Sequence, residues 1–325
     1  MKFLITGGAG FIGGHLSEAL LKRGDEVVIV DDFSTGSRTN LREVDGRGAE
    51  VYEFDISQDK TILPELVEKC DVIFHLAAAV GVELILKEPV KTIHTNIEGS
   101  ANVIKLAAKY QKRLFLASTS EVYGKSSKAD FTETDDLLIG SSTNARWAYA
   151  CSKLMDEFYL MAYRSETGLP GTVVRFFNTV GPRQTGRYGM VIPRFVESAL
   201  QGKTLKVYGD GEQSRCFCHV KDVVRALLLL LDKPESAGEI YNIGSRRSVT
   251  MKELAQLVIE RTGSDSQIEL VPYEKAYAKG FEDMRRRMPS TSKLENLTGW
   301  KAEHSLEQII DDVAAEIKAK ACAND

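Results

Sequence analysis

Tyr149-Ala150-Cys151-Ser152-Lys153 sets a phenol and an ammonium four residues apart, hence on one face of a helix. A lysine cation, with an oxidised nicotinamide nearby, favours tyrosinate and turns the phenol into a usable base near neutral pH. The same spacing also arises on solvated helices, so the pair gains meaning only from what surrounds it. Upstream, the apolar run 114–117 ends in Ser118-Thr119-Ser120-Glu121-Val122-Tyr123-Gly124. The carboxyl edge of a strand is where open α/β sheets bind ligands, and hydroxyls and a carboxylate placed there can reach a sugar.

A second constellation begins at the N-terminus. Residues 3–6 read as a strand running into Thr6-Gly7-Gly8-Ala9-Gly10-Phe11-Ile12-Gly13-Gly14, which satisfies Gly-x-Gly-x-x-Gly and also the register Gly7, Gly10, Gly13. Such glycines let the backbone turn sharply and approach a pyrophosphate seated on the N–H groups and positive dipole end of the next helix. The second strand ends in Val30-Asp31-Asp32. A carboxylate there accepts from a ribose 2′-hydroxyl and repels a 2′-phosphate, so the cofactor expected is NAD rather than NADP. Asp55-Ile56, after the third strand, falls on the adenine side.

The elements that must position these groups alternate. Strands are expected at 3–6, 26–30, 51–54, 72–76, 114–118 and 171–176, and helices at 11–22, 90–110 and 148–166. That alternation implies βαβ units in a doubly wound parallel sheet of Rossmann type, with helices on both faces. Beyond Gly181-Pro182 the regularity fades into helical patterns at 191–200, 220–231, 251–262 and 306–319. We therefore expect an NAD-binding domain over 1–180 carrying Tyr149 and Lys153, and a smaller α/β substrate domain over 181–325, with a cleft between them.

Together these motifs resemble the extended short-chain dehydrogenase/reductase family, and within it the nucleotide-sugar epimerases, dehydratases and decarboxylases. The resemblance runs through the glycine motif, His75-Leu76-Ala77-Ala78, Asn96, the Ser-Thr-Ser-Glu-Val-Tyr-Gly stretch, Tyr149 and Lys153, Arg175-Phe176-Phe177-Asn178 with Gly181-Pro182-Arg183, and Val207-Tyr208-Gly209-Asp210-Gly211 with Arg215. It implies that Tyr149 takes the proton from a sugar hydroxyl, that Lys153 holds the nicotinamide ribose, and that Thr119 or Ser120 bonds the reacting hydroxyl. Phe11, Ile12, Leu76, Ala77, Ala78, Asn96 and Ser118 would line the cofactor. Asn178 and Arg215 would hold the substrate diphosphate, with Tyr208 in the same motif.

Members of this group all begin by oxidising sugar C4, and the fate of the 4-keto sugar separates them. A dehydratase usually carries Asp-Glu where this chain has Ser120-Glu121, which demotes dehydration. Ser120-Glu121 and Arg285-Arg286-Arg287-Met288-Pro289-Ser290 are similar to UDP-glucuronate decarboxylases, with Arg287 at the aligned arginine. The segment from Thr185 through Arg187 to Val191-Ile192-Pro193-Arg194-Phe195 looks instead like the substrate loop of C4 epimerases, whose Val-Ile-Pro run packs along the uridine. A 4-keto glucuronate is a β-keto acid and loses carbon dioxide when its carboxylate aligns with the carbonyl π system. Arg187 or Arg287 could hold the carboxylate out of alignment, as an epimerase needs, or assist the carbanion of a decarboxylase. The reading placed first is an NAD-dependent UDP-sugar C4 epimerase acting on UDP-glucuronate or UDP-glucose. UDP-glucuronate decarboxylation is the alternative, followed by a dehydratase and a catalytically silent NAD-binding sensor.

Composition bounds the partners. The 325 residues are 43% hydrophobic and 27% charged, with 42 Lys and Arg against 46 Asp and Glu. A net −4 lacks the dense basic surface that nucleic acid or an anionic membrane requires, so neither is expected as a partner. Apolar runs such as 226–231 are far short of a membrane span. Met1-Lys2-Phe3-Leu4-Ile5 runs straight into the glycine turn rather than into a secretory signal. The five cysteines form an odd set, and the histidines are scattered, so reduced thiols, no metal and a cytoplasmic location are expected. By the same resemblance the protein would be a homodimer, paired through the helices at 90–110 and 148–166.

Overall fold

The computed structural model describes all residues except 45, 81–87, 187–189, 273–283 and 323–325. Seven parallel strands form its main sheet. They are β1 (Lys2–Thr6), β2 (Glu26–Asp31), β3 (Glu50–Glu53), β4 (Val72–His75), β5 (Arg113–Thr119), β6 (Gly171–Phe176) and, after four short strands described below, β11 (Ile240–Ile243). The spatial order is β11-β6-β5-β4-β1-β2-β3. The doubly wound parallel sheet expected from the strand–helix alternation is what forms.

The central strands β1, β2 and β4 read as nearly continuous apolar runs because both faces are covered, while the edge strand β3 carries an exposed glutamate at each end. Side chains alternate between the layers. Phe3, Ile5, Ile29, Phe74 and Phe115 pack on the layer built by α1 (Phe11–Lys22) and a later helix, 220–231. Leu4, Val28, Val30, Ile73, Leu114 and Leu116 pack on α2 (Ile62–Lys69), α3 (Pro89–Lys109) and α4 (Trp147–Thr167). The order reverses between β1 and β4, and a crevice opens at the carboxyl ends of the strands at such a switch point. The glycine turn after β1, Leu76 after β4 and Ser120 after β5 all leave the sheet at that edge.

The remaining chain builds a smaller unit. After β7 (Thr179–Val180), α5 (Val191–Leu200) leads to β8 (Leu205–Tyr208), β9 (Ser214–Cys216), β10 (Cys218–His219) and α6 (Val220–Leu231). Past β11 come β12 (Ser248–Thr250), α7 (Met251–Thr262), β13 (Ile268–Val271), α8 (Ser292–Thr298) and α9 (Leu306–Cys322). Ile192, Phe195, Leu205, Val207, Leu254, Val258, Ile309 and Ile310 share one core there. The chain does not divide cleanly at residue 180. β11 pairs with the outer edge of β6, and Val223, Leu227, Leu230, Leu294 and Trp300 bury into the core under the main sheet. An unpaired β6 edge would leave a row of backbone groups unsatisfied, and the short run Ile240-Tyr241-Asn242-Ile243 supplies the missing partner.

Candidate active site

The glycine turn leaves no room for a side chain at Gly7 or Gly13. Gly7 has φ +73°, and a Cβ there would lie 2.6 Å from the Ala77 nitrogen; one at Gly13 would lie 2.3 Å from the Gly7 carbonyl oxygen. Leu76 N–H donates to Thr6 O at 3.0 Å, so the turns after β1 and β4 lie against each other. α1 starts at Gly10 with no side-chain cap and no acid in its first turn. Its N–H groups and positive dipole end are therefore available to a pyrophosphate. Asp31 is buried beside the turn, accepting from Ala9 N–H and Phe33 N–H at 2.9 Å each. Burial holds its carboxyl above the usual range despite those two donors. Each of its oxygens keeps a second lone pair for a ribose hydroxyl. These residues fit a dinucleotide.

Other expected cofactor residues divide by position. Phe11 and Ile12 open α1 as part of the turn, and Ala77 and Ala78 continue the strand-end loop. Asp32 is exposed and accepts from Ser34 N–H and Oγ–H at 3.0 and 2.6 Å, turned away from the glycine turn that Asp31 holds. Asp55 caps its own turn through Ser57, and Ile56 is buried, with its carbonyl held by Asn102 at 3.0 Å. Asn96 bonds both polar backbone groups of Ala79 and donates to Ser152 Oγ at 3.2 Å, bracing the loop after β4 between α3 and α4. Ser118 directs its hydroxyl to Glu157, which also pairs with Arg175 at 2.7 Å. Asn96 thus ties the loop after β4 to α4, and the Ser118 hydroxyl joins the Glu157–Arg175 pair at the end of β5.

At the catalytic end local structure aims the groups. Thr119 Oγ1 accepts from Glu121 N–H at 3.2 Å and starts a single 3₁₀ turn, Ser120–Tyr123. Gly124 closes that turn at φ +59°, where a Cβ would fall 2.2 Å from the Leu138 oxygen. Val122, Tyr123, Phe131, Trp147, Phe177 and Met284 form an apolar wall behind it. Tyr149 is 8% exposed and hydrogen-bonds Thr119. Burial raises the phenol's proton affinity above its ordinary value, the Glu121 and Asp156 carboxylates raise it further, and the Thr119 bond opposes them. Lys153 Nζ lies one turn along α4, 2.7 Å from Asp156 Oδ2. Tyr149 thus meets Thr119 and faces Glu121 of the same turn as Ser120, with Lys153 one helical turn further along α4.

Arg287 joins them from the far end of the chain. It is 8% exposed, with Nη1 3.3 Å from Glu121 Oε1 and 3.4 Å from Ser120 Oγ. Arg146, also buried, approaches the other Glu121 oxygen at 4.0 Å. One carboxylate is thus flanked by two guanidiniums beside the phenol. Arg146 was missed by sequence reasoning, although its place three residues before Tyr149 puts it on the same helical face.

The residues expected to hold substrate are more scattered. Asn178 donates to Cys216 O at 2.9 Å and so ties β7 to β9. Arg215 is buried and donates to Ser214 O at 2.8 Å. Arg194 donates to the Tyr208 hydroxyl at 3.1 Å and lies over its ring, 4.7 Å from the centroid, while Val191 begins α5. Arg187 lies outside the described residues.

An open glycine turn at the switch point of a doubly wound sheet, with a Tyr-Lys pair at the same edge, defines a class of nicotinamide-dependent enzymes. Residues 3–244 match the NAD dependent epimerase/dehydratase family, and the chain belongs to that family. Its cofactor is NAD. The chain is 44% identical over 308 residues to the UDP-N-acetyl-alpha-D-glucosaminuronate decarboxylase of Bacillus cytotoxicus, covering 94% of each. Among solved structures it is similar to UDP-glucose 4-epimerase with UDP-glucose from Thermotoga maritima, at 33% identity and a TM-score of 0.87 over 99% of this chain and 100% of that one. It is also similar to UDP-glucuronic acid 4-epimerase from Bacillus cereus in complex with UDP-glucuronic acid and NAD, at 26% identity, TM-score 0.87, over 98% of this chain and 100% of that one. Among the described residues no helix is long and apolar enough to cross a membrane.

Proposed function

We propose that the protein is a UDP-hexuronate decarboxylase, which places the alternative of the sequence reading ahead of C4 epimerisation. The observation that carries it is the Glu121 carboxylate flanked by Arg287 and Arg146 beside Tyr149. The 44% relative, a decarboxylase of a UDP-linked uronic acid, supports the same reading. NAD supplies one piece of chemistry when bound: it takes the C4 hydride and later returns it. Tyr149 accepts the O4 proton, oriented by the Thr119 hydroxyl. With a ketone at C4, the carboxyl carbon is lost as carbon dioxide by cleavage of the C5–C6 bond, and the electron pair passes into the C5–C4–O4 enolate. Arg287 and Arg146 orient the departing carboxylate and stabilise the negative charge as it moves. A proton taken up from solvent at C5, with one returned from Tyr149 to O4, completes a UDP-pentose, so each turnover consumes one proton and releases carbon dioxide.

The epimerase reading keeps support in the likeness to two epimerases across almost the whole chain, the UDP-glucose 4-epimerase at 33% identity and the UDP-glucuronic acid 4-epimerase at 26%. Product analysis separates the two. Incubated with UDP-glucuronate and, separately, with UDP-N-acetylglucosaminuronate, the purified protein should release carbon dioxide from at least one, leaving a UDP-pentose from the first or a UDP-acetamidopentose from the second. Unchanged mass with C4 inverted, seen by mass spectrometry and proton NMR, would return epimerisation to first place.

We further propose that two copies pair through α3 and α4. Val90 is 78% and Phe158 63% exposed, and Ile93, Met155 and Tyr159 extend the same apolar surface. Single exposed apolar residues are ordinary, but a contiguous strip on two packed helices suits a self-complementary interface. Phe158→Glu should convert the dimer to a monomer in light scattering; an unchanged mass would place the interface elsewhere. A cytoplasmic location is part of this proposal, since free thiols at Cys70, Cys151, Cys216, Cys218 and Cys322 suit a reducing compartment.

A further inference from the structure

We propose that Asp156 is a positioning residue, which holds the Lys153 ammonium and offsets its field at the Tyr149 hydroxyl. Asp156 and Lys153 are both 2% exposed, one turn apart on α4, with 2.7 Å between Oδ2 and Nζ. The carboxylate is the end of a longer buried chain. Ser100 Oγ donates to Asp156 Oδ2 at 2.8 Å, His75 Nε2 lies 3.0 Å from Ser100 Oγ, and His75 Nδ1 lies 2.6 Å from Thr6 Oγ1. Ser100 has one proton and gives it to the carboxylate, so His75 must donate from Nε2 and accept at Nδ1 from Thr6. The histidine is neutral, pushed down to about 3 by burial and by the charge of Lys153. Every donor in the chain therefore points toward Asp156, across β1, β4, α3 and α4.

That arrangement decides what the lysine can do. A buried ion pair is weak evidence for stability, because desolvation of both charges offsets much of their attraction. Its effect falls on the neighbours. A lysine cation one turn along the same helix would favour the phenolate of Tyr149, and a carboxylate 2.7 Å from the ammonium opposes it. Around the phenol, α4 brings Lys153, Asp156 and, one position on, Glu157, which is paired with Arg175 of β6. The turn after β5 brings Glu121 with its flanking Arg287 and Arg146; β4 brings neutral His75, and α3 brings the uncharged Ser100 and Asn96. Glu121 and Asp156 are the two carboxylates that raise the phenol. With Asp156 in place Tyr149 holds its proton until a further positive charge arrives beside it.

The inference rests on Tyr149 as the base, and the test separates the two claims. In protein labelled at the tyrosine ζ-carbon, with the Tyr149→Phe variant identifying the signal, NMR titration reads the phenol without turnover. Removing the opposing carboxylate in Asp156→Asn should lower the Tyr149 midpoint by about one pH unit. The acid limb of kcat should fall by the same amount, because the base then loses its proton at lower pH. Asp156→Ser is a second neutral replacement should the amide variant fail to fold, and Asp156→Glu, which keeps the charge, should keep the parental midpoint. An unmoved midpoint in a folded neutral variant, or an equal shift in Asp156→Glu, overturns the inference. A midpoint that moves while the acid limb of kcat stays fixed supports it and overturns Tyr149 as the base.

Discussion

Replacing Tyr149 with Phe should leave a folded protein that still binds NAD but converts UDP-hexuronate about a thousandfold more slowly. The ring is buried, and phenylalanine keeps its volume while deleting the oxygen proposed to receive the O4 proton. Thr119 keeps a partner in Glu121 N–H, so the loss of its bond to the phenol leaves the 3₁₀ turn in place. Binding should therefore separate from conversion. Cofactor affinity measured by fluorescence should match the parent, and single-turnover formation of NADH should all but vanish. Full activity in this variant would remove Tyr149 from the chemistry.

Arg287→Met should lower kcat/KM for UDP-glucuronate by about a hundredfold or more, while leaving binding of UDP-glucose unchanged. The two sugars differ at the group the arginine is proposed to meet, because UDP-glucose has no carboxylate. Methionine keeps most of the buried stem volume and deletes the guanidinium, which isolates charge from packing. Arg287→Lys should recover only part of the loss, since an ammonium restores the charge beside Glu121 and Ser120, where Nη1 now lies, but not the planar guanidinium that can pair a carboxylate bidentately. Equal losses of affinity for both sugars would assign Arg287 to the shape of the pocket rather than to the carboxylate.

Much of this site is written in local patterns. The glycine turn, Asp31 and the Tyr-Lys pair each lie within a few residues of a strand or helix end, where spacing alone gives direction. Arg287 is different: its partner Glu121 is far away in the chain, so only resemblance to known enzymes pointed to it. Asp156 was overlooked for another reason. It lies one helical turn from Lys153 and would pass for an ordinary surface pair, and only the burial of both groups gives it weight. At Asn96 and Ser118 the motif implied a cofactor contact, and the structure adds what spacing could not show, that Asn96 also bonds the backbone of Ala79 and that the Ser118 hydroxyl bonds the Glu157 carboxylate. Sequence alone leaves decarboxylase and epimerase hard to order, because the Val191–Phe195 segment resembles one group while Ser120-Glu121 and Arg287 resemble the other, and local motifs carry no measure of how they meet in space.

The pairing of β11 with β6 has a consequence for how the chain is made. Val173 in β6 meets Ile240, so the outer edge of β6 emerges from the ribosome long before its partner does. Asn242 of the late strand also accepts from the Tyr123 hydroxyl at 2.8 Å, and its backbone N–H donates to Glu133 at 2.9 Å, behind the catalytic turn. A nascent chain that stops short of β11 displays an unpaired apolar edge and an incomplete site wall, the condition under which strands pair with the wrong neighbour. The last strand to join the sheet is thus also what turns a half-made protein into one with a finished active site.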